Sequence, residues 1–213
     1  MHRTIVIALA TASIAAASAS PASAACSSKG YAYAGLESAT PTYGIKATIT
    51  ALTPPRVAHG HVAAWVGVAG AGGAEWVQAG IAARPGGGLR LYVEASNGGP
   101  IVLNELEATA VGKSRRFAVI ALARDLWEVQ VNGLRVAGPF WLPGSHGAWR
   151  AVATGESWDD GQPACNAFSF QFDNVAVRTA AAEWRGLTHP RVLADPGYAV
   201  VRHGRGFLAS ART

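Results

Sequence analysis

The sequence contains only two cysteines, has no cluster of lysines and, beyond its N-terminus, has no apolar run of about 18 residues. A helix that crosses a bilayer needs a run of about that length, so we expect no membrane-spanning segment in the mature protein. Of the formal net charge of +5, one unit comes from Arg3 and the other four come from the residues after Asp173, because basic and acidic side chains balance between Lys29 and Asp173. Without a basic face that carries interleaved aromatic residues, we expect no nucleic-acid binding.

Several kinds of catalytic site are also missing. No Cys or carboxylate completes a ligand set around His59 and His61, so we expect no metal and no cofactor. Ser145 and Ser157 lack the strand-turn-helix context of a nucleophile elbow, and the glycine-rich stretch from Gly70 to Gly73 lies between strands instead of opening a helix. These absences argue against a serine hydrolase and a phosphate-binding loop.

The first 25 residues are typical of a secretory signal peptide. Met1-His2-Arg3 supplies a positive charge, an apolar run extends from Ile5 to about Ala17, and Ala22-Ser23-Ala24-Ala25 provides the small residues of a cleavage site. We therefore expect a secreted, extracellular protein that begins near Cys26.

An oxidising export route favours a disulfide between Cys26 and Cys165, the only cysteines in the chain. A cysteine that directly follows a signal sequence can also carry a lipid. The residues before Cys26 lack the leucine of a good lipidation motif, so we do not expect lipid anchoring there.

The pattern of residues 26–186 predicts one all-β domain. Segments rich in Val, Ile, Trp, Tyr and Phe recur between Gly, Pro, Asn and Ser, and Tyr43 to Leu52 alternates apolar and polar residues. His61 to Ala69 is apolar on both faces, as in a central strand, and Asn132-Gly133 predicts a tight hairpin. About ten or more strands indicate a monomeric two-sheet antiparallel β-sandwich, a concanavalin A-like jelly roll.

Residues 187–213 form a basic C-terminal tail. Tyr198 to Arg202 and Phe207-Leu208 could add one strand. The tail has little other periodic apolar sequence, so we expect it to be dispensable for folding of the core.

Alternation along the predicted strands indicates which side chains share a face. Gln78 lies on one face with Trp76 and Gly80, where a glycine leaves room for a ligand to approach the backbone. Tyr92 and Glu94 share a second strand face. Each strand thus carries polar groups among apolar residues, a pattern typical of a groove floor.

Four short motifs resemble the glutamic peptidases, or eqolisins, in order and spacing. They are Trp65-Val66-Gly67, Gln78-Ala79-Gly80, Tyr92-Val93-Glu94 and Glu156-Ser157-Trp158. The closing strand of that family resembles the segment from Phe170 to Val175. There are departures, since Gly155 stands where the family has Ala and Ser157 separates Glu156 from its tryptophan.

The resemblance implies a secreted endopeptidase that uses neither metal nor cofactor and acts on polypeptides. It implies that Glu156 is the general base that activates water and that Gln78 stabilises the oxyanion. We expect Trp76, Tyr92, Glu94 and Trp158 to line the substrate groove.

Two other functions fit the sequence. Trp76, Tyr92 and Trp158 could stack on sugar rings if they face one concavity, so a lectin-like polysaccharide-binding sandwich is the main alternative. A structural secreted domain without a ligand is the other. Proteolysis requires Gln78 and Glu156 to face a shared site, whereas sugar binding does not.

Overall fold

The computed structural model describes residues 30–70, 72–162 and 166–211, which form two antiparallel sheets around one apolar core. The predicted all-β, two-sheet sandwich is confirmed. The expected signal peptide, Cys26 and Cys165 lie outside the described residues, so the signal and the disulfide stay predictions.

Strands are numbered in chain order, and the first sheet contains seven of them. Their spatial order is β13 (Arg191–Ala194), β1 (Tyr31–Thr42), β10 (Trp149–Trp158), β3 (His61–Ala69), β4 (Glu75–Ala83), β5 (Arg90–Asn97) and β6 (Val102–Ala108).

The second sheet contains the remaining strands. Their spatial order is β14 (Tyr198–His203), β15 (Gly206–Ala211), β11 (Ser169–Arg178), β2 (Gly44–Ala51), β7 (Arg115–Ala123), β8 (Leu126–Val131) and β9 (Leu134–Trp141), with β12 (Trp184–Gly186) paired to β11. A short 3-10 turn, Pro143–Ser145, precedes β10.

Alternating burial explains how the two sheets pack. On β2, Ile45 and Ile49 are fully buried in the core, whereas Lys46 points to the other face and lies 4.5 Å from the centre of the Trp184 ring. Burying one such aliphatic side chain stabilises the fold by roughly 1.5–3 kcal/mol. The predicted central strand, His61–Ala69, pairs with a neighbour on both sides.

The Asn132-Gly133 pair forms the predicted hairpin between β8 and β9. Its two residues have φ angles of 52° and 87°, the positive values that a two-residue turn of the favoured twist requires.

The C-terminal tail differs from the sequence-based expectation, because it contributes three strands instead of at most one. β13 pairs with β1 in the first sheet, and β15 pairs with β11 in the second. Phe207 is fully buried and its ring stacks on Phe172 at 4.4 Å between centroids. The tail therefore contributes strands to both sheets and a buried ring to the core, and whether the core folds without it stays a prediction. Few positions of these strands are buried, and the exposed Arg191, Arg202 and Arg205 beside them obscure the apolar pattern in the sequence.

No helix within the described ranges has the length and apolar character needed to cross a membrane.

Candidate active-site groove

Strand register places Gln78 and Glu156 on the same face of the first sheet. Glu156 on β10 lies opposite Ala63 on β3, and Gln78 on β4 lies opposite Gly67, four residues further along β3. Positions an even number of residues apart on one strand point to the same side. The even-numbered positions of β3, among them Val62, Ala64 and Val66, face the core instead. The two polar side chains therefore project from the outer face of the sheet.

The Glu156 carboxylate is buried and each of its oxygens accepts a hydrogen bond from β3. His61 Nε2 lies 2.8 Å from Oε1, and Trp65 Nε1 donates to Oε2 at 3.0 Å. His61, Ala63 and Trp65 occupy alternate positions of β3, so both donors lie on the face from which Glu156 projects. These two bonds fix the orientation of the carboxylate. The sequence indicated neither contact: Trp65 was part of a family motif, and His61 was considered only as a metal ligand.

The Gln78 amide belongs to a second set of contacts. Its Nε2 donates to the Tyr92 hydroxyl at 3.2 Å and to Glu94 Oε2 at 3.1 Å. Gln78 faces Glu94 directly in the β4–β5 ladder, and Tyr92 faces Gly80. Three of the predicted site residues are thus in contact. Both amide hydrogens are engaged, so a substrate oxygen that bonds to this amide must displace one partner.

Electrostatics connect the Gln78 contacts to Glu156. Burial raises the pKa of Glu94, and the negative charge of Glu156 raises it further, against smaller lowering effects from His61 and from the Gln78 hydrogen bond. Burial and the Glu156 charge also raise the pKa values of Tyr33 and Tyr92. These phenols therefore keep their protons and can donate hydrogen bonds at acidic and neutral pH.

Two glycines explain the local packing around the pair. A Cβ atom on Gly80 would overlap the carbonyl oxygen of Ala64 and lie 2.7 Å from Trp65 Cα, so the Gln-x-Gly pattern lets β3 and β4 pack closely there. A Cβ on Gly155 would lie 2.6 Å from the Phe168 ring. Phe168 thus occupies the space that the alanine expected at this position would need.

An aromatic cluster covers the end of the groove beside His61. The Trp158 ring stacks on Tyr31 at 5.9 Å and packs against His61 at 5.4 Å between centroids. Trp158 lies opposite His61 at the start of β3, whereas Trp76 lies opposite Ala69 at its end. Eight residues of strand span about 26 Å. The two tryptophans share a face but do not form one stacking platform.

A cavity of about 370 Å³ opens on the same face next to His61. Its lining is apolar at Ala63, Ala82, Ala83 and Leu103. Charged and polar side chains complete the wall, namely His61, Arg84, Arg90, Tyr92, Glu94 and Glu105. Arg90 Nε and a Glu105 oxygen are 3.0 Å apart, so these two charges largely neutralise each other.

His59 does not join the site. It lies exposed in the loop before β3, while a buried Asn166 holds the backbone of that loop by donating to the His59 carbonyl at 2.8 Å and to the Trp158 carbonyl at 3.0 Å. Within the described part of the chain, no group of three or more His, Cys, Asp or Glu could hold a metal ion. Asn166 was not identified from the sequence, because no pattern marks an asparagine that bridges two loops.

Comparison with known proteins shows similarity at the level of structure. No protein-family model and no curated protein matches the chain. Scytalido-glutamic peptidase with a peptide-based transition-state analog superimposes with a TM-score of 0.64 at 16% sequence identity, over 85% of this chain and 98% of that one. The same peptidase with another transition-state analog inhibitor gives 0.65, at the same identity and coverage.

A third solved structure is SCP-B, a member of the eqolisin family of peptidases in complex with the tripeptide Ala-Ile-His. It has a TM-score of 0.61 at 15% identity, over 85% of this chain and 98% of that one. The chain has the β-sandwich fold of the glutamic peptidases.

Proposed function

We propose that this protein is a secreted endopeptidase of the glutamic type, with Glu156 as the general base and Gln78 as the oxyanion donor. The observation that carries the proposal is the buried Glu156 carboxylate, which His61 and Trp65 orient on the face that also presents Gln78. A carboxylate with two fixed hydrogen bonds retains lone pairs with which it can accept a proton from water. The peptide ligands of the structurally similar peptidases support a polypeptide as substrate.

The reaction needs two proton transfers. Glu156 takes a proton from a water molecule as the water oxygen attacks the carbonyl carbon of the scissile bond. The resulting tetrahedral intermediate carries a negative oxygen. As the C–N bond breaks, the protonated Glu156 returns its proton to the leaving nitrogen, which restores the carboxylate.

The hydrogen-bond donors at and around Gln78 are of the kind that stabilises the negative oxygen of the tetrahedral intermediate. The amide N–H groups of Gln78 now bond to Tyr92 and Glu94, and an oxyanion that replaces one of these partners would receive a donor already oriented by the other. The Tyr92 hydroxyl accepts from Gln78 and keeps its own proton for donation. Glu94 then acts as the residue that holds the amide in place.

The cavity beside His61 fits a side chain of the substrate. Its floor includes Ala63, which lies opposite Glu156, and Ala82, the next residue in the same cross-strand row. A peptide bond at Glu156 would therefore place a neighbouring side chain over this cavity. A volume of about 370 Å³ with an apolar floor favours a large apolar side chain.

Cleavage of unfolded protein substrates from acidic to neutral pH tests the proposal. Glu156→Gln should abolish cleavage, and Gln78→Ala should lower the rate by about 10²–10³-fold, as loss of one oxyanion donor does elsewhere. Glu107→Gln removes an exposed carboxylate on β6 and is the matched control. Chelators should have no effect. Equal activity of wild type and Glu156→Gln would exclude this mechanism.

Polysaccharide binding is the outcome that would replace the proposal. It would require wild type to cleave no protein while it binds oligosaccharides, with affinity lost in Trp158→Ala. The separation of Trp76 and Trp158 at opposite ends of β3 argues against it, because consecutive sugar rings need neighbouring stacking surfaces.

A further inference from the structure

The outer face of the first sheet continues past Glu156 in the direction away from the cavity beside His61. Tyr33 on β1 lies directly opposite Glu156 on β10, and Ala63 on β3 lies opposite it on the other side. Residues that face each other across a ladder have Cβ atoms about 4.5–5.5 Å apart. The next residue, Ala34, faces the core, so Tyr33 projects to the same side as Glu156. The candidate base therefore lies between the cavity floor and a tyrosine.

Three aromatic rings form a surface on this side of Glu156. Tyr31 stacks on Tyr33 with 6.3 Å between centroids and 7° between planes, and it stacks on Trp158 with 5.9 Å and 19°. These separations lie in the range that aromatic pairs favour. Tyr31 is 45% exposed, and the other two rings are half-buried. The nearly parallel rings are thus an apolar surface open to solvent.

The C-terminal tail fixes the backbone beneath Tyr33. The Tyr33 N–H donates to Asp195 Oδ2 at 2.8 Å, and the Asp195 N–H donates to the Tyr33 carbonyl at 3.0 Å. Because β10 pairs with the other edge of β1, Tyr33 is held from both sides. A ring on such a support is preorganised, so a ligand that binds to it loses less affinity to side-chain ordering.

The Tyr33 hydroxyl is available to a ligand. It has no hydrogen-bond partner among the described residues, and it is not one of their enclosed polar atoms that lack a partner. A phenol donates one hydrogen bond, and a peptide carbonyl that leaves water for a groove needs such a donor. The hydroxyl is therefore suited to the backbone of a substrate, and the rings are suited to its side chains.

We propose that Tyr31, Tyr33 and Trp158 form a second substrate subsite, which binds a large apolar or aromatic side chain on the far side of the cleaved bond from the cavity. The Tyr33 hydroxyl donates a hydrogen bond to the substrate backbone beside that side chain. This proposal rests on the proposed peptidase function and names its substrate class, which is segments with large apolar residues on both sides of the cleaved bond. Unfolded proteins expose such segments, whereas folded proteins bury most of them.

The separation of the two subsites determines the spacing of these residues. Tyr33 and Ala63 flank Glu156 at one strand spacing each, so they lie about 10 Å apart. An extended peptide advances about 3.3 Å per residue, so the side chains in the cavity and on the rings belong to residues about three positions apart. Occupation of both subsites requires a chain that continues in both directions from the cleaved bond, as an endopeptidase substrate does.

Peptide binding to Glu156→Gln tests the subsite without cleavage. The probes are fluorescein-labelled peptides of glycine and serine that carry one phenylalanine, or two phenylalanines about three positions apart. Binding is measured by fluorescence anisotropy. We expect the peptide with two phenylalanines to bind more tightly, and we expect the additional substitution Tyr31→Ala to weaken its binding about tenfold and remove that advantage.

The matched control is Tyr43→Ala in the same Glu156→Gln background. It removes a comparably exposed tyrosine from the connection between β1 and β2, so it should leave the affinity unchanged. Urea unfolding should show that both variants fold. Equal affinity of the Tyr31→Ala and Tyr43→Ala variants for the peptide with two phenylalanines would overturn the subsite.

Kinetics of the active protein test the hydroxyl. Tyr33→Phe keeps the ring and removes the donor, so we expect KM to rise by about two- to tenfold while kcat changes little. Tyr43→Phe should leave both constants unchanged. An unchanged KM in Tyr33→Phe would overturn the role of the hydroxyl.

These measurements distinguish failure of the subsite from failure of the peptidase function. If wild type cleaves protein while Tyr31→Ala leaves peptide binding unchanged, the subsite fails and the peptidase function stands. If wild type cleaves no protein, the peptidase function fails, and binding to Glu156→Gln still decides whether the rings bind peptide side chains. Binding of chito-oligosaccharides in place of these peptides, lost in Tyr31→Ala, would overturn the proposal in favour of a sugar site.

Discussion

The indole N–H of Trp65 donates to the buried carboxylate of Glu156 across the β3–β10 ladder, at 3.0 Å. Trp65→Phe keeps the ring and removes this donor. A hydrogen bond to a charged group contributes about 1.5–3 kcal/mol, so we expect kcat/KM to fall by at least about tenfold. Trp141→Phe alters an exposed tryptophan on β9 and should leave kcat/KM unchanged. An active Trp65→Phe enzyme would mean that His61 alone orients the carboxylate.

Glu94 should make stability depend on pH. A carboxyl group whose pKa is raised in the folded state binds its proton more tightly there than in the unfolded chain, so the free energy of unfolding falls as the pH rises through the folded pKa. Glu94→Gln has no titrating group at this position, so its free energy of unfolding does not undergo this fall. We expect the variant to be more stable than wild type at neutral pH and similar to it below the ordinary carboxyl range, measured by urea unfolding. Glu107→Gln should show no such gain, and a destabilised Glu94→Gln at neutral pH would contradict the assignment.

The cavity beside His61 should determine which side chains are accepted. Ala82→Leu places a branched side chain on its floor, so we expect a higher KM for peptides with large apolar residues next to the cleaved bond. Peptides with small residues should be cleaved as before. Ala110→Leu, at an exposed position outside the cavity, serves as the control. Unchanged preferences in a peptide library would show that the substrate does not enter this cavity.

The C-terminal strands should be needed for folding. Phe207→Ala removes a fully buried ring that stacks on Phe172, and such truncations cost about 3–5 kcal/mol. Val201→Ala, at an exposed position on β14, should cost far less. A chain that stops before β13 should fail to unfold cooperatively in urea, because it lacks strands of both sheets. A cooperative transition in that truncated chain would contradict the structure.

Local patterns were sufficient to predict strands such as β2, β3 and β4 and to show which of their side chains share a face. The alternation of Ile45, Lys46 and Ala47 and the turn at Asn132-Gly133 are properties of neighbouring residues, and they hold in the structure. The same alternation placed Gln78 beside Trp76 and Gly80. Within a strand, the alternation of side chains with a period of two residues is enough to distinguish those that face the core from those on the outer face.

Contacts between distant strands could not be predicted in this way. His61 and Glu156 are 95 positions apart, and only the pairing of β3 with β10 makes them neighbours. In the tail, the buried Phe207 and Ala209 alternate with short polar or aliphatic residues over only six positions of β15. So brief a signal, surrounded by arginines, does not reveal that the strand closes a sheet.

The distance along the chain between His61 and Glu156 also determines the stage of folding at which the Glu156 carboxylate becomes oriented as a candidate base. The carboxylate is oriented by two donors that belong to a strand made almost a hundred residues earlier, and none of its hydrogen bonds comes from an adjacent turn. Pairings so far apart form late, since loop closure must precede them. Emerging or partly folded chains therefore lack the oriented carboxylate, and proteolytic competence would arise only with the completed sheet.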